Sequence, residues 1–254
     1  MPTIERDGAT LHYEIRGDGP VLVLTHGYSA TSRMWNPNVD ELSADHTVIV
    51  WDVRGHGRSS SPTDPAAYEP DAVVDDLGAL LDHVGIDTAV IGGMSLGGYL
   101  ALRFRLRHPE RVAALLLVDT GPGFKRADGR ERWNADAHRM ADDIERRGRD
   151  ALAGGGGERR ATEHDDLRGL VMAGRHLLPQ HDASVIASLP HIDVPTLVVV
   201  GADDAPFRAA ADYMAAKIPG AELVVIDGAG HAANIDRPRA FNDAVRSFLT
   251  AHGV

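Results

Sequence analysis

The sequence predicts an α/β protein with a mostly parallel, twisted sheet that carries helices on both faces. Three observations predict this class. Short apolar runs rich in β-branched residues recur along the chain, helix-patterned segments separate them, and the connecting loops are short. The 254 residues include 43% hydrophobic and 25% charged residues, as is usual for a folded globular chain. No cysteine is present, which excludes disulfides, thiolate metal sites and a cysteine nucleophile.

The predicted strands are short apolar runs, most of them apolar at nearly every position. Such runs are typical of strands that are buried on both faces of a parallel sheet. A glycine- and proline-rich turn at 17–20 separates the first two. In chain order the predicted strands are 11–15, 21–24, 47–51, 89–91, 114–118, 196–200 and 223–226.

Helices are predicted between the strands. In the segment 71–84 apolar residues recur with a 3.6-residue period, Asp71 is placed to cap the helix, and Gly85 stands where it would stop. Residues 100–107 form a second predicted helix, closed by a His-Pro pair. Residues 238–249 form a last amphipathic helix.

One region interrupts the alternation of strands and helices. Half of residues 125–166 are charged, with both signs mixed, and no strand pattern occurs there. We interpret 124–190 as a small helical cap inserted into a core made of 1–123 and 191–254. The mixed charge indicates a solvated helix face, and the glycine run 154–157 predicts a mobile loop between helices.

Charge and hydropathy limit the partners. The net charge is −11, from 26 basic and 37 acidic residues, so no basic surface for nucleic acid is expected. The chain start has no apolar run typical of a signal peptide, and no apolar stretch approaches the roughly 20 residues of a membrane helix. These observations predict a cytoplasmic protein without a membrane partner. The oligomeric state stays open, although the insertion could supply a dimer surface.

The segment that carries the chemistry contains Gly93, Ser95 and Gly97 in the pattern G-x-S-x-G, between a predicted strand and a helix. This pattern is typical of a sharp, strained turn that lifts a serine hydroxyl above the sheet, and only very small residues fit two positions to either side. Ser95 is therefore the predicted nucleophile. The amide of Leu96, at the start of the following helix, is a predicted donor to an oxyanion.

A serine nucleophile needs a base and an acid that orients the base. His231 follows the last predicted strand and precedes the last helix, so it is expected at the same sheet edge as Ser95. The acid should follow an intermediate strand. Asp203 and Asp204 both follow 196–200, and Asp119 is an outside candidate after the preceding strand.

The early loop that contains Tyr28 is expected to complete the oxyanion site. It follows the second predicted strand, and the glycine before Tyr28 lets the backbone turn a second N–H towards the reacting oxygen. We therefore predict the Tyr28 amide as the partner of the Leu96 amide, with the Tyr28 side chain lining the substrate pocket.

Five motifs together resemble an α/β-hydrolase-fold serine hydrolase, over about 4–123 and 190–250. They occur in the order of that family: His26-Gly27, Asp52-x-Arg54-Gly55-His56-Gly57-x-Ser59, Gly93-x-Ser95-x-Gly97, Gly201-x-x-Asp204 and Gly230-His231. The resemblance implies the α/β-hydrolase fold and a triad of Ser95, Asp204 and His231. It favours Asp204 over Asp203 because the family's acid lies three residues after the strand-ending glycine. It also implies that the motif starting at Asp52 shapes a turn and that 124–190 is the family's variable cap.

These features predict a serine hydrolase that cleaves carboxylic esters through an acyl-enzyme on Ser95. A lactonase resembling the enol-lactonases, with Arg175 and His176 meeting a substrate carboxylate, is the alternative, and a slow or non-catalytic ligand-binding protein is the second. The expected partner is a small-molecule ester or lactone, and no metal or cofactor is implied. The predicted pocket residues are His26, Met94, Trp133, Met172 and His176.

Overall fold

A central sheet of eight strands organises the described part of the chain, residues 2–153, 156–160 and 163–254 of a computed structural model. The strands lie in the order β1-β2-β4-β3-β5-β6-β7-β8, and from β4 to β8 all neighbours are parallel. Strand β1 pairs with β2, and β2 pairs with β4, in the antiparallel sense. The predicted mostly parallel sheet is confirmed. The strands are β1 Thr3–Arg6, β2 Ala9–Arg16, β3 Val21–Thr25, β4 Thr47–Trp51, β5 Ala89–Met94, β6 Val112–Val118, β7 Thr196–Gly201 and β8 Glu222–Ile226.

Helices follow most strands and cover both faces of the sheet. The helices described by the structure are α1 Asn36–Leu42, α2 Pro70–His83, α3 Leu96–Arg107, α4 Ala127–Arg147, α5 Gly157–Arg160, α6 Leu167–His176, α7 Ser184–Ser188, α8 Ala205–Lys217, α9 Ala233–Asp236 and α10 Pro238–His252. Alternate strand residues enter opposite cores. Val23 packs on the side of α2 and α3, whereas Leu22 and Leu24 pack on the side of α1 and α10. Buried strands of this kind need apolar residues at successive positions.

The chain between β6 and β7 is helical wherever it has regular structure among its described residues. On the exposed face of α4, Asp128, Asp136 and Asp143 form ion pairs with arginines three or four residues away, which is the solvated charge pattern that the composition predicts. Gly154 and Gly155, part of the predicted mobile loop, lie outside the described residues. No described helix combines the length and the apolar character required to cross a membrane.

Several element boundaries differ from the prediction. Helix α3 begins at Leu96, directly after Ser95, and not at residue 100. Asp71 does not cap α2, because Pro70 occupies the first helical position; the Asp71 carboxylate instead accepts a 2.7 Å bond from Arg103. Strand β1 and helices α1 and α8 were not predicted. Strand β1 is short and half exposed, with only Ile4 buried, so it carries little apolar signal.

Candidate active site

Ser95 occupies a strained turn between β5 and α3. Its backbone has φ 53° and ψ −114°, a region that costs a non-glycine residue free energy. Two hydrogen bonds hold this conformation: the Ser95 amide donates to the carbonyl of Val118 at 3.0 Å, and the Thr120 hydroxyl donates to the Ser95 carbonyl at 2.6 Å. The strain therefore lies at the position where the sequence predicts the nucleophile.

Glycine is required on both sides of Ser95. A Cβ atom on Gly93 would lie 2.4 Å from the carbonyl carbon of Gly97, and one on Gly97 would lie 2.2 Å from the carbonyl oxygen of Thr25. These contacts are with backbone atoms, which cannot rotate away. The turn can therefore form only with glycine at both positions.

The loop after β3 lies beside the nucleophile turn. A Cβ on Gly27 would be 2.8 Å from the sulfur of Met94 and 3.4 Å from Cβ of Ser95, so the gap between this backbone and the serine is about the width of one side-chain carbon. Leu96 begins α3, and the first amides of a helix have no acceptor within the helix. The two backbone segments predicted to bind an oxyanion thus flank the same serine.

His231 and Asp204 are joined by a hydrogen bond of 2.8 Å from Nδ1 to Oδ2. His231 lies between β8 and α9, and Asp204, which is 4% exposed, lies between β7 and α8. Burial opposes the charged imidazolium, but the bond to Asp204 and its negative charge outweigh burial and raise the pKa of His231. The bond also keeps the proton on Nδ1, which leaves Nε2 as the acceptor. Asp203 is exposed, and the carboxylate that bonds the ring is that of Asp204.

Ser95 and His231 lie at the same edge of the sheet, because both follow parallel strands at their carboxyl ends. The structure shows no direct hydrogen bond between their side chains among the described residues. Such bonds are often long in hydrolases without substrate and shorten in the complex. The ring of Phe207 stacks on His231 with centroids 4.6 Å apart and an interplanar angle of 26°. This contact restricts the orientation of the imidazole.

Asp119, the third aspartate that the sequence offers as the acid, is fully buried beside the other two groups. Its Oδ1 accepts from the amide of Gly201 at 2.8 Å, and its Oδ2 accepts from the amide of Ala233 at 2.9 Å. Gly201 ends β7 just before Asp204, and Ala233 begins α9 just after His231. Burial raises the pKa of Asp119 to about 6. Asp119 thus fastens the two loops together.

A cavity of about 550 Å³ opens next to Ser95, within the size range of small-molecule sites. Its walls come from the start of α3, the loop after β6, helix α8 and the helical segment between β6 and β7. Large apolar and aromatic side chains dominate the lining; among them are Tyr99, Phe124, Trp133, Leu178, Ile186 and Phe207. Polar groups on this wall are few: besides the hydroxyls of Tyr99 and Tyr213, they come from Ser95, Thr120 and Gln180.

Of the predicted pocket residues, Trp133 lines this cavity, whereas His26, Met94, Met172 and His176 do not. His26 is fully buried, with Nε2 accepting from the amide of Val53 at 2.9 Å. Met94 packs into the sheet core, and Met172 packs against the core on the opposite side. Strand and helix faces direct these side chains inward, and sequence spacing alone does not show that direction.

Two further expectations for side chains are also wrong. Tyr28 does not line the cavity, because its hydroxyl donates to the carbonyl of Leu170 on α6 at 2.9 Å. Arg175 does not point to a substrate site: at the surface it bonds Asp142 and Glu145 of α4, each at 2.7 Å. These two carboxylates raise the pKa of Arg175 still further and occupy its guanidinium. His176, its neighbour, is half-buried on α6 away from the cavity.

Sequence reasoning missed Phe207, Thr120 and Gln180. Phe207 follows Asp204 by three residues, so a prediction of helix α8 would have placed its ring close to the acid. Thr120 directly follows Asp119 at the end of β6 and so shares the sheet edge with Ser95. No sequence signal identifies Gln180, whose side-chain oxygen accepts from the amide of Phe124 at 3.1 Å.

A strained serine at the start of a helix, followed in the chain by an acid and a histidine from later strand ends, is the arrangement of α/β-fold hydrolases. A model of the alpha/beta hydrolase family matches residues 22–244. The chain therefore belongs to the alpha/beta hydrolase family.

Individual relatives match nearly the whole chain. Sequence identity is 29% over 266 residues to 3-oxoadipate enol-lactonase 2 from Acinetobacter baylyi, covering 97% of this chain and 96% of that protein. A pimeloyl-(acyl-carrier protein) methyl ester esterase from Nitrosomonas europaea is 29% identical over 256 residues, with 92% and 97% covered. Among solved structures, a thermophilic esterase from Thermogutta terrifontis has a TM-score of 0.86 at 28% identity, covering 99% of this chain and 97% of that chain.

Proposed function

We propose that the protein is a serine hydrolase that cleaves carboxylic esters through an acyl-enzyme. The observation that carries the proposal is the bond between His231 and Asp204 at the sheet edge where Ser95 stands in a strained turn. The relatives support it, since they include an enol-lactonase and a methyl ester esterase. The roles of Ser95 as nucleophile, His231 as base and Asp204 as acid are part of this proposal.

In this mechanism Nε2 of His231 takes the proton of Ser95 as Oγ attacks the ester carbonyl carbon. The amides of Tyr28 and Leu96 donate to the oxyanion that forms. His231 then returns the proton to the departing alcohol, which leaves an ester bond between Ser95 and the acyl group. A water molecule, deprotonated by His231, attacks that bond and releases the acid and the free serine. Asp204 keeps the imidazole in the required tautomer and stabilises its charged form.

The first test is modification by a fluorophosphonate, which reacts with activated serines. Intact-mass analysis and peptide mapping should find one adduct, on Ser95. The Ser95→Ala variant should lose both the adduct and the hydrolysis of 4-nitrophenyl acetate, by at least about 10³-fold in kcat. A matched control is Ser247→Ala, because Ser247 is exposed on α10, far along the chain from the turn.

The result that overturns the proposal is a folded protein with no adduct on Ser95 and no ester turnover. The hypothesis of a ligand-binding protein on the same fold would then replace the proposed hydrolase.

A lactonase is the second candidate, since attack on a ring ester uses the same groups and the enol-lactonase relative covers nearly the whole chain. The ring-opened acyl group would stay attached to Ser95 until water releases it. Comparison of kcat/KM for γ- and δ-lactones with kcat/KM for open-chain esters of equal size decides between the two. A lactone preference above about 10-fold would favour the lactonase.

A further inference from the structure

The cavity beside Ser95 has a wall without charge. Around it the chain places aromatic rings, aliphatic side chains, alanines and glycines, and none of the described lining residues is acidic or basic. The volume of about 550 Å³ corresponds to about eighteen water molecules at liquid density. It therefore has room for a phenyl ring with a short chain, or for an alkyl group of similar size.

Polar atoms of this wall are mostly bonded within the protein. The Trp133 indole N–H donates to the carbonyl of Leu178 at 2.9 Å, and the Thr120 hydroxyl donates to Ser95 at 2.6 Å. The Gln180 oxygen accepts from Phe124. A substrate group in the cavity therefore meets mainly apolar surface, because Ser95, Gln180 and the hydroxyls of Tyr99 and Tyr213 supply the few remaining polar groups of the lining.

Three cations lie near this wall, and none of them is among the described lining residues. The Lys217 ammonium lies 5.8 Å from the centroid of the Tyr213 ring. Arg103, which lies behind Tyr99, donates to the carboxylate of Asp71 at 2.7 Å. Arg130 donates to the backbone carbonyls of Phe124 and Lys125, each at 3.0 Å. A carboxylate placed in the cavity would lose water without gaining an ion pair, and that is strongly unfavourable.

From this cavity we infer that the enzyme selects uncharged esters with an apolar group of about ten non-hydrogen atoms, and rejects esters that carry a carboxylate on that group. The inference rests on the proposed ester hydrolysis at Ser95 and deepens it, because it names the class of substrate. It also separates this chain from a lactonase that holds a carboxylated ring, since none of the described lining residues is a cation.

Two matched pairs of esters test the inference. On the acyl side, 4-nitrophenyl hexanoate is compared with mono-4-nitrophenyl adipate. On the alcohol side, 3-methylphenyl acetate is compared with 3-acetoxybenzoate. Within each pair a methyl group becomes a carboxylate. We expect kcat/KM to fall by about 100-fold for the carboxylated member of the pair whose variable group enters the cavity. If neither pair differs by more than about 3-fold, the inference is overturned.

Helix α8 offers a matched pair of variants. Ala209 and Ala216 are both exposed alanines of this helix, but only Ala209 lines the cavity. Ala209→Arg adds a cation at the cavity wall and should raise kcat/KM for the rejected carboxylated ester by about 10-fold. Ala216→Arg adds the same charge elsewhere and should leave both pairs unchanged. Equal effects of the two variants would show that selection depends on the overall charge, which would overturn the role of the cavity.

A binding measurement separates failure of this inference from failure of the proposed function. The amide analogues of the four esters are titrated calorimetrically into the Ser95→Ala variant, which cannot turn over. Tighter binding of the uncharged amide by about 100-fold supports the inference even if the native protein hydrolyses no ester. Equal binding within both pairs, together with Ser95-dependent hydrolysis of 4-nitrophenyl acetate, would overturn the inference and leave the proposed function in place.

Discussion

Three buried histidines lie beside the loop after β3, and their protonation should lower the stability of the fold in acid. For His164 the loss of folding stability can be calculated. His164 accepts the amide of Gly57 on Nδ1 at 3.0 Å and donates from Nε2 to the carbonyl of Ser29 at 3.1 Å. A backbone amide can only donate and a carbonyl can only accept, so these bonds require the neutral ring. Burial lowers the pKa of His164 to about 4.

The sign of the effect follows from comparing the two states. The unfolded histidine has a pKa near 6.5, so on acidification the unfolded chain takes up the proton first and is stabilised. His164 therefore contributes its full share of folding stability above about pH 7 and loses it as the pH falls from 6.5 towards 4. The complete loss is about 3 kcal/mol, and about 2 kcal/mol of it falls between pH 7.5 and pH 5.

The perturbation is His164→Gln. The glutamine amide can donate to Ser29 and accept from Gly57, but it does not titrate. In urea denaturation, the wild-type protein should lose about 2 kcal/mol more stability between pH 7.5 and pH 5 than the variant does. His138→Gln, which replaces an exposed histidine of α4, is the control and should follow the wild type. If His164→Gln also follows the wild type across this pH range, the reasoning is wrong.

His26 and His56 extend the same cluster. The rings of His26 and His56 have centroids 4.9 Å apart, and those of His56 and His164 are 6.1 Å apart. Burial lowers the pKa of His26, and burial together with the neighbouring histidines lowers the pKa of His56 well below its ordinary value. His26 and His56 are on loops at the sheet edge and His164 lies in the segment between β6 and β7, so protonation would loosen the contact between these loops and that segment.

Three further predictions concern the proposed active site. The proposed mechanism requires His231 as a neutral base, and Asp204 raises the pKa of His231. We therefore expect kcat/KM for a neutral ester to fall tenfold per pH unit below a midpoint above pH 6.5, and a profile that stays flat down to pH 5 would contradict this role. Phe207→Ala removes the ring stacked on His231 and should lower kcat by about 10-fold without loss of the fluorophosphonate adduct, whereas an unchanged kcat would show that the ring does not position the base. Asp119→Asn leaves one acceptor for two buried amides and should cost about 2 kcal/mol in urea denaturation, a loss that would be absent if water replaced the missing bond.

Much of the fold and the order of the chemical groups could be predicted from the sequence. The reason is local: apolar runs buried on both faces appear as continuous hydrophobic segments, and the glycines at 93 and 97 mark a turn that no other residue can form. Strand β1 was not predicted, because Ile4 is its only buried residue and the sequence pattern is therefore weak. Helix α8 was not predicted, because its alanine-rich sequence has few buried positions to form an apolar pattern. In this helix Ala211 and Met214 are the buried residues.

The pocket could not be predicted, because its lining depends on how helices from distant parts of the chain face one another. Helix α6 carries Met172, Arg175 and His176. The sequence predicted that Met172 and His176 line the pocket, and the lactonase alternative placed Arg175 beside a substrate carboxylate. The helix instead packs on α4, where Asp142 and Glu145 hold the arginine at the surface. The cavity is lined mainly from the loop after β6 and from α8, which are far from α6 in sequence. Leu178 and Gln180, just after α6, also line it, but none of the described lining residues belongs to α6 itself. Helical periodicity gives the apolar face of a helix but not its neighbour.

The sequence offers three aspartates as the acid that orients His231, and the structure distinguishes them by their surroundings. Asp203 is exposed, so its carboxylate interacts with water. Asp119 is buried, but both of its oxygens already accept backbone amides, from Gly201 and Ala233. Asp204 is buried and directs an oxygen to the imidazole. The geometry thus supports a division of labour in which Asp204 orients His231 while Asp119 holds the loops that carry both. Because positioning and orientation depend on separate carboxylates, replacing Asp119 should lower stability and kcat together, whereas replacing Asp204 should lower kcat far more than stability.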